Sequence, residues 1–498
     1  MFYVLELWYA SFIFEWLLFL VPPFWRIRRV YAMTLILWII ITSGWLWPKF
    51  GLFLGAPFIF LAVFRCLNLL RVVKNRMHEQ YLRTATERTS RRISLLYPIV
   101  VIILVTPYVL NIGSYLNLLI ATQLLVANVI FIITIHNIVK LRFSSIAEFL
   151  VDRELPTVTV AIPARDETKD LQDCLHAILA NDYPKLEIIV LDDCSQNKTA
   201  EIIKSFAHDG VRFVPGDPPA ERWLAKNQAY EKLYKEASGD LLLFCGVDTR
   251  LGPQAIRSMV NLMYARKKAM VSVLPVRSQS SPADAFIQPM RYWWELALPR
   301  KLFNRPPVLS TCWLISREAI KQLGGFASVS HAILPEGFFA RELVKTNRYS
   351  FVRSSNELEV KTAKTFNEQL KTAIRTRYPQ IRRRPEWALV ITVIDSMFLL
   401  LPFVLLVMSF WIPGINTLIT GATCLLLVLT HVCIVNVTDP SNSLLALVSF
   451  PVAVLSEVII GYSSMIKYEF MTVDWKDRNI CIPVMHFIPR LPKLPVED

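Results

Sequence analysis

The sequence lacks the patterns that mark disulfide-stapled, zinc-binding and nucleic-acid-binding proteins. Its 498 residues contain eight cysteines, which are scattered, with no Cys-x-x-Cys pair and no Cys/His cluster at zinc spacing. A disulfide framework or structural zinc site is therefore not expected, and the thiols fit a reduced, cytosol-facing protein. The polar central region also has no motif of interleaved basic and aromatic residues, so nucleic acid is not an expected partner.

Apolar sequence is abundant. The chain is 54% hydrophobic, which is too apolar for a soluble globule of this size. The first apolar stretch has no basic segment before it and no small-residue cleavage site, so we interpret it as a membrane span and not as a signal peptide. The net charge of +14 indicates either an anionic partner or basic loops that orient the chain in a membrane.

Eight apolar segments are each near the length of about 20 residues that crosses a bilayer. They lie at residues 3–22, 30–48, 51–70, 95–112 and 115–136, and then at 388–411, 415–436 and 444–465. Basic residues collect in the loops after the first and third segments, which places these loops and the polar region in the cytoplasm. The predicted organisation has an N-terminal transmembrane region (1–145), a cytosolic domain (146–385), a C-terminal transmembrane region (386–466) and a tail (467–498).

The polar region has the pattern of a parallel α/β sheet. The runs "PTVTVAIPAR", "LEIIVLDD" and "GDLLLFCGVD" each end in charged residues, and a helical stretch at about 169–181 separates the first two. A strand–helix–strand unit implies parallel strands with a ligand crevice at their carboxyl ends. We therefore expect the residues after these strands to share one edge.

Acidic side chains follow the first two of these strands. Glu167 comes after Arg165 at the end of the first strand, and Asp192 and Asp193 end the second. Such carboxylates can accept hydrogen bonds from a ribose or a base, or they can simply be favoured at a helix N-terminus. Lys226 lies near the start of a later helix, where the helix dipole disfavours a cation, so it is either held for a phosphate or solvated at the surface.

The ordered series "VAIPARDE", "VLDDCSQNKT", "ERWLAKNQA", "GDLLLFCGVDT" and "ILPEGFFARELV" resembles membrane-bound family 2 glycosyltransferases with the GT-A fold. The resemblance covers roughly residues 157–345. The tail "SSMIKYEFMTVDWKDRNI" is also similar to the Trp-Lys-Gly-Arg ending of the branch that includes hydroxychlorobactene glucosyltransferase. The expected fold is therefore an α/β GT-A nucleotide-diphospho-sugar transferase domain inserted between transmembrane helical regions.

The resemblance implies a donor site. Glu167, Asp192 and Asp193 would surround the nucleotide base and ribose, with Arg165 beside them, and Lys226 would stand where the family has the lysine of a Gly-Lys pair. The glycine of that pair is alanine here, Ala225.

The resemblance also implies a metal. Asp248 falls on the second acid of the Asp-x-Asp motif, which holds Mg²⁺ or Mn²⁺ on the donor diphosphate. The first acid of the motif is replaced by Gly246, so we assign Asp240 to the donor site as a candidate second carboxylate.

The catalytic base implied by the resemblance is Glu336. It occupies the position of the family's aspartate, and Pro335 precedes it where the family has glutamate. Glutamate is competent to deprotonate an acceptor hydroxyl. The alternative is an ordinary first-turn glutamate favoured by the helix dipole.

Chain-elongating synthases carry Gln-x-x-Arg-Trp after this helix. Here "QIRRR" keeps Gln380 and Arg383 but has Arg384 in place of tryptophan, which disfavours a processive polysaccharide synthase. Gln380 and Arg383 remain candidate acceptor or phosphate contacts. The run of arginines around them is either a membrane anchor or a grip for lipid or donor phosphates.

The sequence predicts a polytopic membrane hexosyltransferase that moves a sugar from a nucleotide donor to a hydroxyl of a lipid or lipid-linked acceptor, with inversion. The alternatives are a processive synthase, a polyprenyl-phosphate sugar transferase and a catalytically silent nucleotide-sugar-binding scaffold. Three C-terminal spans would leave the tail outside, whereas the tail motif is typical of the active face. We expect the tail inside, with one apolar segment re-entrant or 388–411 divided in two.

Overall fold

The computed structural model describes Trp38 and residues 115–142, 150–220, 223–278, 280–298, 306–355, 358–381, 383–476 and 478–480. The predicted spans at 3–22, 51–70 and 95–112, and all of 30–48 except Trp38, lie outside the described residues. The basic loops between these spans and Cys481 also lie outside them.

The strands of the central domain form where the sequence alternates short β-branched runs with helical segments. The strands are β1 Val158–Ala164, β2 Leu186–Asp192, β3 Val211–Pro215, β4 Leu241–Cys245, β5 Thr249–Leu251, β6 Met270–Leu274, β7 Val276–Arg277, β8 Cys312–Ser316, β9 Tyr349–Arg353 and β10 Val360–Thr362. Strands β4 and β6 are buried at every position, as expected where helices cover both faces of a sheet.

The main sheet has seven strands in the order β3-β2-β1-β4-β8-β6-β9. Strands β3, β2, β1 and β4 are parallel to one another, and β8 is antiparallel to both β4 and β6. Because the strand order reverses between β1 and β4, a crevice is expected at their carboxyl ends. A smaller sheet, β5-β10-β7, lies beyond that edge and follows directly from Asp248.

The helices of the central domain alternate with the strands. They are α2 Lys169–Leu179, α3 Thr199–Ser205, α4 Ala225–Glu236, α5 Ala255–Ala265, α6 Gln288–Leu296, α7 Arg317–Gln322, α8 Pro335–Lys345 and α9 Phe366–Gln380, and α1 Tyr115–Lys140 precedes them. The predicted helical stretch at 169–181 is confirmed as α2. Two apolar clusters form the core, and in one of them Phe244 stacks on Trp313 with ring centroids 4.5 Å apart.

The helices after the central domain are α10 Pro385–Ile394, α11 Leu401–Met408, α12 Thr417–Thr438 and α13 Ala446–Phe470, and a π-helical turn, Asp395–Leu400, joins the first two. A short hairpin of β11 Asp474–Trp475 and β12 Arg478–Asn479 ends the described chain. Among the described residues, four helical stretches are long and apolar enough to cross a membrane: Leu116–Lys140, Pro385–Met408, Thr417–Thr438 and Ala446–Phe470. Their positions agree with the segments predicted at 115–136, 388–411, 415–436 and 444–465.

The chain divides into two compact units. One includes residues up to Thr122 together with Arg384–Ile394 and Gly414–Asn416. The other comprises Gln123–Arg383, Asp395–Pro413 and Thr417–Asp498, and it contains both sheets, α12, α13 and the terminal hairpin. All contacts described below lie within this second unit.

Helix α13 contacts the central domain at both of its ends. Just before it, Asn442 donates to the carbonyl of Ser281 (3.0 Å), and near its end Tyr468 donates from its hydroxyl to the carbonyl of Arg375 (2.7 Å). One face of the helix carries buried residues such as Phe450 and Glu457, and the opposite face exposes Leu447, Val448, Val452, Leu455, Ile459, Ile466 and Phe470. An exposed apolar face along a helix that packs on a domain is typical of contact with lipid.

Candidate active site

The carboxyl ends of β1, β2 and β4 lie at one edge of the sheet, as the sequence predicts. Ala164 pairs with Asp192 at this edge, and Arg165 follows directly. The Arg165 guanidinium donates from Nη1 to the carbonyls of Asp193 (2.6 Å) and Cys194 (2.9 Å). Arg165 therefore fixes the loop after β2 against the end of β1.

The loop after β2 is also shaped by Asp192. Its Oδ1 accepts from the backbone N–H of Ser195 (3.3 Å), and its carbonyl accepts from that of Gly216 (2.8 Å). A Cβ at position 216 would lie 2.5 Å from the Asp192 carbonyl oxygen, so glycine is required for this close approach. The backbone around Asp192 is consequently held from two sides.

The terminal hairpin lies on these strand ends. Lys476 Nζ is 2.9 Å from a Glu167 carboxylate oxygen, and the Lys476 carbonyl accepts from Arg165 Nε at 2.9 Å. Arg478 Nη1 contacts both carboxylate oxygens of Asp193, at 2.7 and 2.8 Å. Glu167 and Asp193, which we predicted around the nucleotide base and ribose, therefore bind the terminal hairpin.

Lys226 is the second residue of α4, at the helix N-terminus where the sequence predicts it. Its Nζ lies 5.1 Å from the centroid of the Tyr230 ring. Burial lowers the pKa of the Lys226 ammonium to about 8, although Glu336 and Asp248 act in the opposite direction. Glu336 and Asp248 are therefore both within electrostatic reach of Lys226, which titrates closer to neutral pH than an ordinary lysine.

Asp248 is the third residue after β4 and is held from the smaller sheet. Its Oδ2 accepts from the Thr362 hydroxyl at 2.9 Å and lies 3.5 Å from Lys364 Nζ. Burial alone would raise the pKa of this carboxyl, but Lys364 and Thr362 outweigh it and hold the pKa below its usual range. Asp248 is therefore expected to be ionised.

Gly246 leaves space for this arrangement. A Cβ at position 246 would lie 2.5 Å from Asp248 Oδ1, so the glycine admits the carboxylate in its present position. Among the described residues no cluster of three potential metal-ligating side chains occurs. Asp248 thus offers one carboxylate, which suits a divalent cation that takes most of its ligands from phosphate oxygens.

Glu336 is the second residue of α8 and is 1% exposed. Its Oε2 is buried and makes no hydrogen bond. Burial raises the pKa of the Glu336 carboxyl, while Lys226 and Arg291 partly oppose the shift. A buried carboxyl with a raised pKa and a free oxygen next to a cation has the properties of a general base.

Three predicted site residues lie elsewhere. Asp240 precedes β4, where its Oδ2 accepts from the backbone and the hydroxyl of Thr157, at 3.2 and 2.7 Å. About 20 Å of strand separates Asp240 from Gly246. Asp240 therefore lies too far from Asp248 to serve in the donor site as we predicted, and it instead holds Thr157 at the opposite edge of the sheet. Arg383 donates to the Tyr468 carbonyl (3.2 Å) and lies over the Tyr468 ring, which holds α13. Gln380 is half-buried at the end of α9, beside this packing contact.

Sequence reasoning missed several cations that the fold brings to Asp248 and Glu336. Lys364 contacts Asp248 directly, and Arg291 and Arg375 act electrostatically on Lys364 and on Glu336. Arg375 belongs to the run of arginines for which the sequence leaves two roles open, a membrane anchor or a phosphate contact. Lys476 and Arg478 belong to the tail motif, but the motif does not predict which carboxylates they contact. Lys364 and Arg291 carry no local signal, because their role depends on the folding of distant segments.

The comparisons with known proteins concern the central domain. Residues 159–324 match the sequence profile of Glycosyl transferase family 2. Residues 159–324 are therefore assigned to a glycosyl transferase family 2 domain. The match runs from β1 to just beyond α7, so it includes Lys226 and Asp248 but not Glu336 or the tail.

Relatives of this domain have names of the same class. The chain is 28% identical over 184 residues to a probable glycosyltransferase, YdaM, of Bacillus subtilis, which is 35% of this chain and 44% of that protein. It is 29% identical over 121 residues to 4,4'-diaponeurosporenoate glycosyltransferase of Staphylococcus aureus, 24% of this chain and 32% of that one. The chain thus spans less than half the length of these curated relatives.

Among solved structures, a mannosyltransferase from Pyrobaculum calidifontis in complex with GDP-Man and Mn²⁺ is 16% identical, with a TM-score of 0.42. The match covers 69% of this chain and 97% of that one.

Proposed function

We propose that the protein is a membrane glycosyltransferase that moves a sugar from a nucleoside-diphosphate donor to a hydroxyl of a lipid or lipid-linked acceptor. The observation that carries this proposal is the grouping of Lys226, Asp248 and Glu336 at the carboxyl edge of a family 2 domain. A cation, a metal-competent carboxylate and a buried base are the three groups that a displacement at a sugar diphosphate requires.

In the proposed reaction, Glu336 accepts the proton of the acceptor hydroxyl as its oxygen bonds to the anomeric carbon. The bond from that carbon to the diphosphate oxygen breaks, and the nucleoside diphosphate leaves with the electron pair. Lys226 stabilises the charge that develops on it, provided that the lysine is protonated. A single displacement of this kind inverts the configuration at the anomeric carbon.

Asp248 would hold Mg²⁺ or Mn²⁺ together with the donor phosphates, and such a cation would neutralise the leaving group. Lys364, at 3.5 Å from Asp248, adds a fixed positive charge at the same place. Lys476 and Arg478 of the hairpin now contact Glu167 and Asp193. For these carboxylates to contact the base and ribose, the hairpin must either move away or bind the same carboxylates together with the nucleotide.

The acceptor is proposed to be a lipid because four apolar helical stretches accompany the domain and α13 exposes an apolar face beside it. Trp293 of α6 stacks on Phe450 of α13, so α6 packs on a helix that is apolar and long enough to cross a membrane. The name of the Staphylococcus aureus relative is consistent with a lipophilic acceptor.

The arrangement of α13 also supports a topology. Because both ends of this helix contact the domain, we propose that it lies along the domain surface without crossing the bilayer, with the tail on the cytosolic side. A variant with Cys481 as its sole cysteine tests this in inside-out and right-side-out vesicles. The proposed topology expects an impermeant maleimide to label Cys481 in inside-out vesicles. Labelling in right-side-out vesicles but not in inside-out vesicles would refute it.

The experiment that tests the function uses the purified full chain in nanodiscs made with total membrane lipid. A panel of radiolabelled UDP- and GDP-sugars is supplied with Mn²⁺, and label in the lipid fraction is counted. The proposal expects transfer from at least one donor and its loss in Asp248→Asn. Nucleotide-sugar binding without transfer or hydrolysis would instead favour the silent scaffold.

A further inference from the structure

A small cavity that is partly open to solvent lies beside Asp248 and is formed by α6, α9 and the end of β10. Thr362 and Lys364, which both contact Asp248, line one side of it. Arg291, Gln369 and Arg377 line other parts. The cavity therefore adjoins the proposed sugar-transfer site but extends away from it toward α9, the helix on which α13 packs.

The cavity is cationic. Arg291, Lys364 and Arg377 contribute to its lining, and none of the described lining residues is acidic. Two of its side chains also carry buried polar atoms without a hydrogen-bond partner, Arg377 Nη1 and Gln369 Oε1. Arg377 is 6% exposed and Gln369 is 8% exposed. Burying these polar atoms without a hydrogen-bond partner costs free energy, which a ligand that hydrogen-bonds to them in the cavity would recover.

Arg377 is positioned by a carboxylate from α13. Its Nε lies 2.5 Å from Glu457 Oε1, and its Nη2 donates to Glu457 Oε2 at 2.9 Å. One hydrogen bond, from Nη2, and one close ion pair, at Nε, hold the guanidinium against Glu457. The third nitrogen, Nη1, is the donor left for a ligand in the cavity.

The opening toward lipid is suggested by the packing around the cavity. Ile287 and Ala373, which line it, form an apolar cluster with Ile460 of α13. The residue before Ile460, Ile459, is 65% exposed on the apolar face of that helix. An acceptor with its polar end in the cavity could therefore lay its hydrocarbon chain along α13.

We propose that this cavity binds an oxyanion of the acceptor, a phosphate or a carboxylate carried near the hydroxyl that receives the sugar. Arg377 Nη1, Lys364 and Arg291 supply the charge-assisted hydrogen bonds, and Gln369 Oε1 accepts from a hydroxyl on the same molecule. The inference rests on the proposed function, because it assigns the cavity to that reaction's acceptor. It narrows the substrate class from any lipid hydroxyl to an anionic amphiphile.

The test is lipid binding without donor, so that it is independent of turnover. The full chain is held in neutral detergent micelles with equimolar hexadecyl phosphate, palmitate and hexadecanol, and native mass spectrometry counts each lipid that stays bound. We expect one or both anions to be retained about tenfold or more over hexadecanol, the effect of one or two charge-assisted hydrogen bonds. Preference for one anion identifies which of the two groups the acceptor carries.

Two variants at the ion pair have opposite expected signs. Glu457→Gln leaves Arg377 without its compensating charge and should increase anion retention severalfold. The double variant Arg377→Gln/Glu457→Gln, which keeps a neutral amide pair, should reduce anion retention severalfold, and the preference that remains would come from Lys364 and Arg291. Lys345→Gln, an exposed lysine on α8, is the matched control and should change nothing.

Equal retention of the three lipids by the wild type, or wild-type anion retention in a folded double variant, would overturn the inference. It would also be overturned if the double variant lost UDP or GDP binding while keeping its lipid selectivity, because the cations would then belong to the donor. If anion selectivity is found but no nucleotide sugar is used, the proposed function fails, and the cavity stands as a lipid-anion site without a role in sugar transfer.

Discussion

Replacing Glu336 by glutamine removes one proton acceptor and leaves the shape of the side chain unchanged. Glu336 is buried and its Oε2 has no hydrogen-bond partner, so the substitution breaks no described hydrogen bond of that oxygen. A positioned general base contributes about 10²- to 10⁴-fold to a rate. We therefore expect kcat to fall by that factor, about 2.7–5.5 kcal/mol of transition-state free energy, while the donor KM stays within a few-fold.

The pH profile makes the prediction sharper. Because burial raises the pKa of Glu336, the wild-type rate should rise as pH increases through a value above that of an ordinary glutamate, where the base loses its proton. The variant should lack this acidic limb. Glu336 also raises the pKa of Lys226, so the alkaline limb near pH 8 should move to lower pH in the variant.

The assay is initial-rate sugar transfer in nanodiscs between pH 5 and 9. Glu342→Gln on the same helix is the control, because Glu342 is paired with Lys345 at the surface and should leave both limbs in place. A Glu336→Gln enzyme that keeps more than a tenth of the wild-type kcat would refute the base assignment. That result would favour an acceptor whose attacking group is already ionised.

Three further predictions concern the donor side of the site. Lys226→Arg keeps its charge at all accessible pH values, so the alkaline limb near pH 8 should disappear; a limb that persists would assign it to another group. Arg478→Gln leaves the buried Asp193 carboxylate without the partner that contacts both of its oxygens, which should lower the free energy of unfolding by about 3–5 kcal/mol and reduce the thermal midpoint. The double variant Asp193→Asn/Arg478→Gln should restore much of that midpoint. Mn²⁺ should bind with the nucleotide and not alone: the electron paramagnetic resonance signal of free Mn²⁺ should drop when UDP or GDP is added, and tight binding without nucleotide would contradict this.

The sequence predicted the strands and helices that present the site because these elements depend on local pattern. The runs that end at Arg165, Asp192 and Cys245 are apolar enough to be strands wherever they fold, and parallel pairing then brings their ends together. Lys226 and Glu336 were assigned through the family resemblance, and the structure places each of them in the first turn of its own helix.

The errors and omissions arise where a role depends on distant segments. Asp240 and Asp248 are eight residues apart but lie at opposite edges of the sheet, because the strand between them crosses it. Lys364 reaches Asp248 through the pairing of β5 with β10, and Glu457 reaches Arg377 through the packing of α13 on α9. No spacing within a single segment encodes these contacts.

Binding of a nucleoside diphosphate to paired carboxylate variants tests most directly that the site lies at the carboxyl edge of the sheet. Isothermal titration of the full chain with UDP and GDP in the presence of Mn²⁺ should show binding of one of them, at least tenfold weaker in Asp248→Asn and unchanged in Asp240→Asn at the other end of the same strand. Equal affinities in the two variants, or weaker binding in Asp240→Asn alone, would contradict the account.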